Sequence, residues 1–144
     1  MVRMSLFKWS NAHSVYIPEL DAEHRDIFRL GEELHQALEA GATRARLKPL
    51  VEGLLQCMNL HFRHEERMMF DIRYQALNWH KHQHDAARKT CRALVKSIAE
   101  GDREGAGQKL ESLAGWLGDH LRVADRMMGA RLRNYLRFST SLAS

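Results

Sequence analysis

Hydrophobic residues recur at three- and four-residue steps in four stretches of the chain, a spacing typical of amphipathic α-helices that bury one face. We therefore predict helices over residues 19–40, 43–72, 76–99 and 106–134 or beyond. Gly41 is placed to end the first helix, and Thr43 is placed to cap the second. Because Pro49 lies in the second turn of the second helix, that helix could instead begin near Lys48.

Each predicted helix has an inward-facing apolar stripe. Its members are Ile27, Leu30, Leu34 and Leu38 in the first helix, Leu50, Leu54, Cys57, Met58, Met68 and Met69 in the second, Cys91, Leu94, Val95 and Ile98 in the third, and Leu110, Leu113, Trp116, Leu117, Ala124, Met127 and Met128 in the fourth. Four such helices joined by short connections favour an all-α fold, the antiparallel up-down-up-down four-helix bundle.

The first 18 residues differ from the rest because they lack helical spacing. They carry Phe7, Trp9, Tyr16 and Ile17, which suggests a segment docked on the bundle rather than a disordered tail. We accordingly divide the chain into an N-terminal arm (residues 1–18), the bundle (19–136) and a C-terminal tail (137–144). The tail either continues the last helix or frays.

The composition is ordinary for one globular domain, with 144 residues of which 44% are hydrophobic. No stretch is apolar for long enough to cross a membrane, and the N-terminus lacks the apolar run of a secretory signal. We interpret Cys57 and Cys91 as reduced thiols, with a disulfide between them as the less favoured alternative. The expectation is a cytoplasmic protein that does not insert into membranes.

The formal net charge is +4. Basic residues are densest near the C-terminus, at Arg122, Arg126, Arg131, Arg133 and Arg137. We interpret them as a solvated helix face, because no aromatic interleaving or DNA-reading motif accompanies them. Nucleic acid is therefore not an expected partner.

Histidine is unusually frequent, with nine residues in the chain, and it is the commonest metal ligand among side chains. Histidines and carboxylates interrupt the apolar stripes of all four predicted helices. These residues are His24 in the first helix, His61 and Glu65 in the second, His80 and His84 in the third, and His120 and Asp125 in the fourth. A polar group on a core face costs free energy unless it is paired or bound to metal.

The four motifs also fall at one end of the predicted bundle. His61 lies late in the second helix and His80 early in the third, so a short connection brings these helix ends together. In an antiparallel bundle His24, early in the first helix, and His120, late in the fourth, lie at the same end. We therefore predict that all seven side chains converge in one layer of the core.

Asp125 does not fit a regular helix. A five-residue step advances an α-helix by about 140° beyond a full turn, so His120 and Asp125 would face different directions. A wide turn of π type would realign them, and such turns are frequent at functional sites. We predict a helix distortion near residues 121–125.

Seven donors exceed the four ligands of a structural zinc site and suit two ions bridged by carboxylates. Nitrogen and oxygen donors without thiolate fit iron, and manganese and zinc remain open on ligand type alone.

These motifs resemble those of the hemerythrin family, including the bacterial hemerythrins, over almost the whole chain. The matching segments are residues 20–24 (LDAEH), 61–66 (HFRHEE), 80–84 (HKHQH) and 116–121 (WLGDHL), the last followed by Asp125. The resemblance implies two iron ions, cycling between Fe2+ and Fe3+ and joined by an oxo or hydroxo bridge.

The family pattern also assigns roles to individual residues. It implies that His80, His84 and His120 bind one iron, that His24 and His61 bind the other, and that Glu65 and Asp125 bridge them. The oxygen-binding pocket maps onto Ile27, Phe62, Trp116, Leu117 and Leu121.

The resemblance implies reversible O2 binding for storage, transport or delivery, without enzymatic activity beyond weak oxidase or peroxidase side reactions. Two alternatives stay open: a sensor module for O2 or nitric oxide that acts on a separate partner, and a di-iron oxidase or peroxide-handling enzyme. Carboxylate-rich di-iron enzymes of the ferritin-like type carry two Glu-x-x-His motifs. Here only Glu32 and His35 have that spacing, which argues against oxygen activation.

The remaining histidines near the motifs call for separate interpretations. His64 could compete with Glu65 as a ligand, although Glu65 fits better. His82 points away from His80 on an ideal helix and is expected to be exposed. His13 and His35 are expected at the surface.

Overall fold

The computed structural model describes the backbone of residues 4–143 and the side chains of residues 4–138. The described chain contains helices and no strands. They are α1 (Pro18–Glu39), α2 (Arg44–Asp71), α3 (Leu77–Ala99), α4 (Arg103–His120) and α5 (Arg126–Ala143), with a short 3-10 turn (Asn11–His13) before them. A π-helical turn, Leu121–Asp125, joins α4 and α5 into one continuous fourth helix.

The helices form a closed ring in which each packs against the next and α4 returns to α1. Short connections between consecutive helices make this the antiparallel four-helix bundle that the sequence predicted. None of the described helices is both long and apolar enough to cross a membrane.

The start of α2 shows how capping outweighs a poor helix former. The Thr43 side chain accepts a hydrogen bond from the backbone N–H of Arg46, and the helix begins directly after it at Arg44. The alternative start near Lys48 is therefore wrong. Pro49 removes one backbone hydrogen bond, but Leu47 and Val51 on either side of it are buried and hold the helix against the core.

Two apolar clusters fill the bundle. The larger one extends from Leu110 and Leu47 to Ile27, Phe62 and Leu121. The smaller one closes the opposite end and consists of Val15, Ile17, Leu20, Met69, Ile72, Met128 and Leu132. The predicted polar layer lies between the two clusters. Along each helix, residues of one cluster precede the ligand-type residues, and residues of the other cluster follow them.

The N-terminal arm is fixed on α1. Backbone N–H groups of Leu6 and Phe7 donate to Glu32 Oε1 at 2.9 and 3.0 Å. The Phe7 ring is buried over Gly31, where a Cβ atom would come within 2.8 Å of it. Close packing of an aromatic ring therefore requires glycine at this point of α1.

Two arginines of the basic cluster also hold the arm. Arg126 donates to the carbonyl oxygens of Ala12 and Ser14, at 2.8 and 3.3 Å, and Arg133 donates to the carbonyl of Val15. The expected solvated face is thus wrong for these two residues. Loop carbonyls need donors when a segment lies on a protein surface, and the arginines provide them.

Some predicted stripe positions are less buried than expected. Leu30, Leu38, Leu50, Cys57, Met68, Val95 and Trp116 are half-buried at the edges of the core. Met127 is exposed over 52% of its surface. The π turn shifts the inward face onto Asp125, and Met128 and Leu132 continue that face at helical spacing. Met127 is therefore left outside.

Of the two forms predicted for the C-terminal tail, the structure has the helical one, because residues 137–143 continue α5. Ser144 lies outside the described residues, as do residues 1–3 of the arm. Both cysteines are free thiols.

Candidate metal centre

The seven predicted ligand-type residues meet in one buried layer. All are almost completely inaccessible to solvent: His24, His61, Glu65, His80, His84, His120 and Asp125. Their candidate ligand atoms form two groups in which every atom lies within 4.8 Å of every other. His24 and His61 belong to one group, the other three histidines belong to the second, and both carboxylates belong to both.

The two oxygens of Glu65 face different groups. Oε2 lies 3.5 Å from His24 Nε2 and 3.2 Å from His61 Nε2. Oε1 lies 3.2 Å from His84 Nε2 and 3.7 Å from His80 Nε2. A single carboxylate thus presents one oxygen to each half of the centre.

Asp125 repeats this division from the opposite side. Its Oδ2 lies 3.2 Å from His24 Nε2, while its Oδ1 lies 2.9 Å from the Nε2 atoms of both His80 and His120. Two carboxylates that each face two sets of imidazoles have the arrangement expected of bridging ligands between two cations.

The histidine tautomers favour cations between these groups. Nδ1 of His61 donates to Glu23 Oε1 at 2.7 Å, Nδ1 of His84 donates to Glu66 Oε2 at 2.7 Å, and Nδ1 of His120 donates to Gln83 Oε1 at 2.8 Å. A neutral imidazole that donates through Nδ1 carries its lone pair on Nε2. In the neutral form of these rings the lone pairs would face carboxylate oxygens, and a cation between them removes that repulsion.

Such an arrangement leaves buried polar atoms without partners. The Nε2 atoms of all five histidines, both oxygens of Glu65 and Oδ1 of Asp125 make no hydrogen bond of acceptable geometry. Unsatisfied buried acceptors cost roughly 1–3 kcal/mol each. Metal ions between them would satisfy every one, so the residues fit a pair of bound cations.

Electrostatics keep the two carboxylates ionised. Burial alone would raise the pKa of Glu65, but the neighbouring imidazoles, His61 foremost, hold that pKa well below its usual value. Burial and the negative charge of Glu65 both favour a higher pKa for Asp125. Contacts with His120 and His24 outweigh them, so the pKa of Asp125 is also lowered. In turn, burial disfavours the charged form of His61, but Glu65 and Glu23 raise its pKa to about 10, so this ring must lose a proton when a metal ion binds at Nε2. Both carboxylates are thus anionic and ready to serve as metal ligands.

The predicted distortion of the fourth helix is confirmed. The π turn spans Leu121–Asp125, and its wider winding brings Asp125 onto the same side as His120. The two side chains approach to 2.9 Å across a five-residue step, which a regular α-helix does not allow.

The sequence interpretation missed the residues that accept the Nδ1 hydrogen bonds. Glu23 on α1 serves His61 on α2, Glu66 on α2 serves His84 on α3, and Gln83 on α3 serves His120 on α4. Each acceptor is adjacent in sequence to a ligand-type residue of its own helix, but it orients a histidine of the next helix. Polar residues flanking a ligand position were the available signal.

The other histidines stay out of the centre. His64 is half-exposed and donates through Nδ1 to Glu23 Oε2 at 2.8 Å. His82 is exposed, as predicted. His13 lies at the surface but is half-buried, because its ring packs against Trp9 and Phe28, with centroids 5.6 and 4.9 Å apart. His35 is half-buried and donates to the Met4 carbonyl.

The predicted pocket residues lie on one side of the polar layer. Ile27, Phe62, Leu117 and Leu121 are buried members of the larger apolar cluster, and Trp116 is half-buried against it. The Phe62 ring stacks on His84 with centroids 4.1 Å apart, and Trp116 stacks on His120 at 4.4 Å.

Comparison with known proteins agrees with this geometry. The family model of the hemerythrin HHE cation binding domain matches residues 15–132. A bacteriohemerythrin from Methylococcus capsulatus is 26% identical over 127 residues, which cover 88% of this chain and 96% of that protein. A myohemerythrin from Theromyzon tessulatum is 24% identical and covers 83% of this chain and 88% of its own length.

The backbone agrees equally well. A crystal structure of wild-type hemerythrin superposes with a TM-score of 0.80 at 26% identity, and the match covers 89% of this chain and 98% of that one. An L114A mutant of hemerythrin gives the same TM-score at 25% identity. The family match extends over most of the chain and includes all seven residues of the buried layer. The chain therefore belongs to the hemerythrin HHE cation binding domain family.

Proposed function

We propose that the protein binds dioxygen reversibly at a centre of two iron ions, and that it stores, transports or delivers oxygen. The main support for the proposal is the position of the carboxylate oxygens. Glu65 and Asp125 each direct one oxygen toward one set of histidines and the other oxygen toward the second set. Relatives named bacteriohemerythrin and myohemerythrin support it.

The ligand assignment follows the two groups. His24 and His61 would hold one iron, His80, His84 and His120 would hold the other, and Glu65 and Asp125 would each offer one oxygen to either ion. The first ion then has four protein ligands and the second five. The position with fewer protein ligands is the natural place for a small molecule.

The surrounding chain favours reversible binding over turnover. When bound, the irons supply the electrons that dioxygen takes up and returns. Ile27, Phe62, Leu117 and Leu121 exclude water from that side of the centre, and they carry no group that could donate a proton. An exposed acid or water chain would promote peroxide release, so the apolar wall supports a carrier with at most weak oxidase or peroxidase activity.

An anaerobic optical titration tests the proposal. The iron-loaded protein is reduced, exposed to oxygen, purged with inert gas and exposed again. We expect a visible charge-transfer band that appears with oxygen, disappears on purging and returns. Irreversible oxidation with consumption of reductant would identify an oxidase, and the absence of iron binding would contradict the proposed centre.

A further inference from the structure

A cavity between α2 and α3 reaches from the surface toward the metal centre. Its volume is about 160 Å³. Leu55, Met58, Phe62 and Cys91 form its inner wall, of which all but Leu55 are buried. Asn59, Arg88 and Arg92 surround its mouth.

The inner wall suits a small non-polar molecule. An apolar cavity of about 150 Å³ in a protein core stays dry and takes up benzene or xenon. This cavity has a similar size, and its inner wall, although not its mouth, is lined by apolar side chains. The sulfur atoms of Cys91 and Met58 lie 3.8 Å apart. Thioethers are polarizable and adaptable, so Met58 can move aside for a passing molecule without leaving a fixed void.

Phe62 connects the cavity to the centre. One face of its ring stacks on His84, with centroids 4.1 Å apart and planes 14° apart. Phe62 also meets Trp116 edge-on at 5.9 Å. A molecule at the inner end of the cavity is therefore separated from the ligand layer by one aromatic ring.

Arg88 connects the mouth of the cavity to its inner wall. Its guanidinium group lies 5.2 Å from the centre of the Phe62 ring. It also contacts Glu66 Oε2 at 3.0 Å and Asp85 Oδ1 at 2.9 Å. Its side chain is only 18% exposed. These contacts fix a guanidinium group beside the Phe62 ring, where its positive charge disfavours the entry of cations, while a neutral gas carries no charge to be repelled.

We propose that this cavity is the docking site through which a dissolved diatomic gas reaches the centre. The inference rests on the proposed function for its destination, whereas the docking site itself requires no metal. Passage inward then requires movement of the Phe62 ring or of the Met58 side chain, both of which are buried.

Xenon tests the docking site without iron. Crystals of the protein pressurised with xenon should show the atom between Leu55, Met58 and Cys91. Xenon bound elsewhere and absent from this cavity overturns the proposal, whatever the protein does with oxygen.

Kinetics test the route. Leu55→Trp fills the cavity, and Val95→Trp fills a second cavity between α2 and α3, lined by Val51, Val95 and Ile98, as the matched control. A barrier on a route acts equally on arrival and departure. We therefore expect Leu55→Trp to slow oxygen association and dissociation alike by about tenfold with Kd unchanged, and Val95→Trp to change neither rate.

The outcomes separate the two proposals. Unchanged rates in Leu55→Trp, or a change in Kd alone, overturn the route. Should Leu55→Trp fold poorly, Leu55→Ala widens the cavity and must accelerate both rates. Xenon in the cavity of a protein that binds no oxygen reversibly overturns the proposed function but leaves the docking site in place.

Discussion

At the scale of single residues, the acceptors beside the histidines matter as much as the histidines. Glu23, Glu66 and Gln83 fix which ring nitrogen faces the centre, because a bond from Nδ1–H leaves the lone pair on Nε2. Gln83 is the neutral member of the set, so it orients His120 with less charge than the glutamates bring to His61 and His84.

Replacing Gln83 tests this orienting role. Gln83→Leu removes the acceptor for His120 Nδ1 while keeping a side chain of similar size. We expect metal affinity to fall by about 10–100-fold, measured by competition with a chelator of known affinity. Gln83→Glu keeps an acceptor and should retain most of the affinity. Equal affinity of Gln83→Leu and the unaltered protein would show that packing alone orients the ring.

Glu65 is the residue whose loss affects both halves of the centre. Glu65→Ala removes one carboxylate oxygen from each set of histidines and leaves several buried imidazoles without an anion. We expect metal content to drop by at least one ion per chain and the melting temperature to fall. Metal analysis and thermal unfolding measure this. Glu52→Ala, on the exposed face of the same helix, is the control. Two ions retained in Glu65→Ala would contradict the bridging assignment.

The seven ligand-type residues were predictable because each breaks an apolar stripe, whereas their acceptors were not. Glu23 and Gln83 occupy half-buried positions, where a polar residue is ordinary. Their role depends on a neighbouring helix, and the rotation of that helix is a packing result that no local pattern contains.

At the scale of elements, the π turn sets the direction of everything that follows it. Leu121–Asp125 aligns Asp125 with His120 and then leads into Met128 and Leu132 of the smaller apolar cluster. The spacing between His120 and Asp125 predicted this turn, because no regular helix places both on one side. Met127 was misplaced for the same reason, since a stripe extrapolated through a wide turn goes out of phase.

Changing the length of this turn by one residue in either direction tests its role. Val123 is 55% exposed, and deleting it should let the turn relax to α-helix with histidine and aspartate four residues apart. We expect the deletion to keep two metal ions. An alanine inserted after Val123 should rotate α5 by about 100°, lose metal and unfold at lower temperature. Metal content and thermal unfolding separate the cases. If deletion loses metal as fully as insertion, the π geometry itself is required.

Alanine substitution should change the stability in opposite directions at two helical glycines, because the docked arm packs on only one of them. At Gly31 a Cβ atom would meet the Phe7 ring at 2.8 Å, whereas at Gly53, also within a helix, it would meet nothing within 4 Å. We expect Gly53→Ala to stabilise the protein by about 0.5–1 kcal/mol. Gly31→Ala should destabilise it by about 1–3 kcal/mol through overpacking. Urea unfolding measures both, and stabilisation by Gly31→Ala would show that the arm is not held against α1.

At the scale of the whole molecule, the polar layer lies between two apolar clusters that hold it from both ends. Ile27, Phe62 and Leu121 lie on one side, and Leu20, Met69 and Met128 lie on the other. The bundle was predictable from its helical periods, and the position of the layer followed from antiparallel order. The cavity at Leu55 and the arginine contacts to the arm could not be predicted. The cavity arises where side chains of two helices leave space unfilled, and the contacts arise where arginines meet backbone carbonyls of a distant segment.

This architecture couples folding to metal binding. Without cations the layer contains two anionic carboxylates and several unsatisfied imidazole nitrogens in the core, and only the folded chain brings them together. Ligand binding to the native state alone stabilises it by about 4 kcal/mol when the free metal is a thousandfold above Kd. For a chain of this length that corresponds to an increase in melting temperature on the order of 10 °C.

Protein stripped by a chelator should melt lower by this amount and recover on addition of ferrous iron under anaerobic conditions. Magnesium, which prefers oxygen ligands and octahedral hydration, should not restore it. Identical melting of the stripped and loaded proteins would mean that the layer is stable without metal, and the case for two cations would then fail at its physical basis.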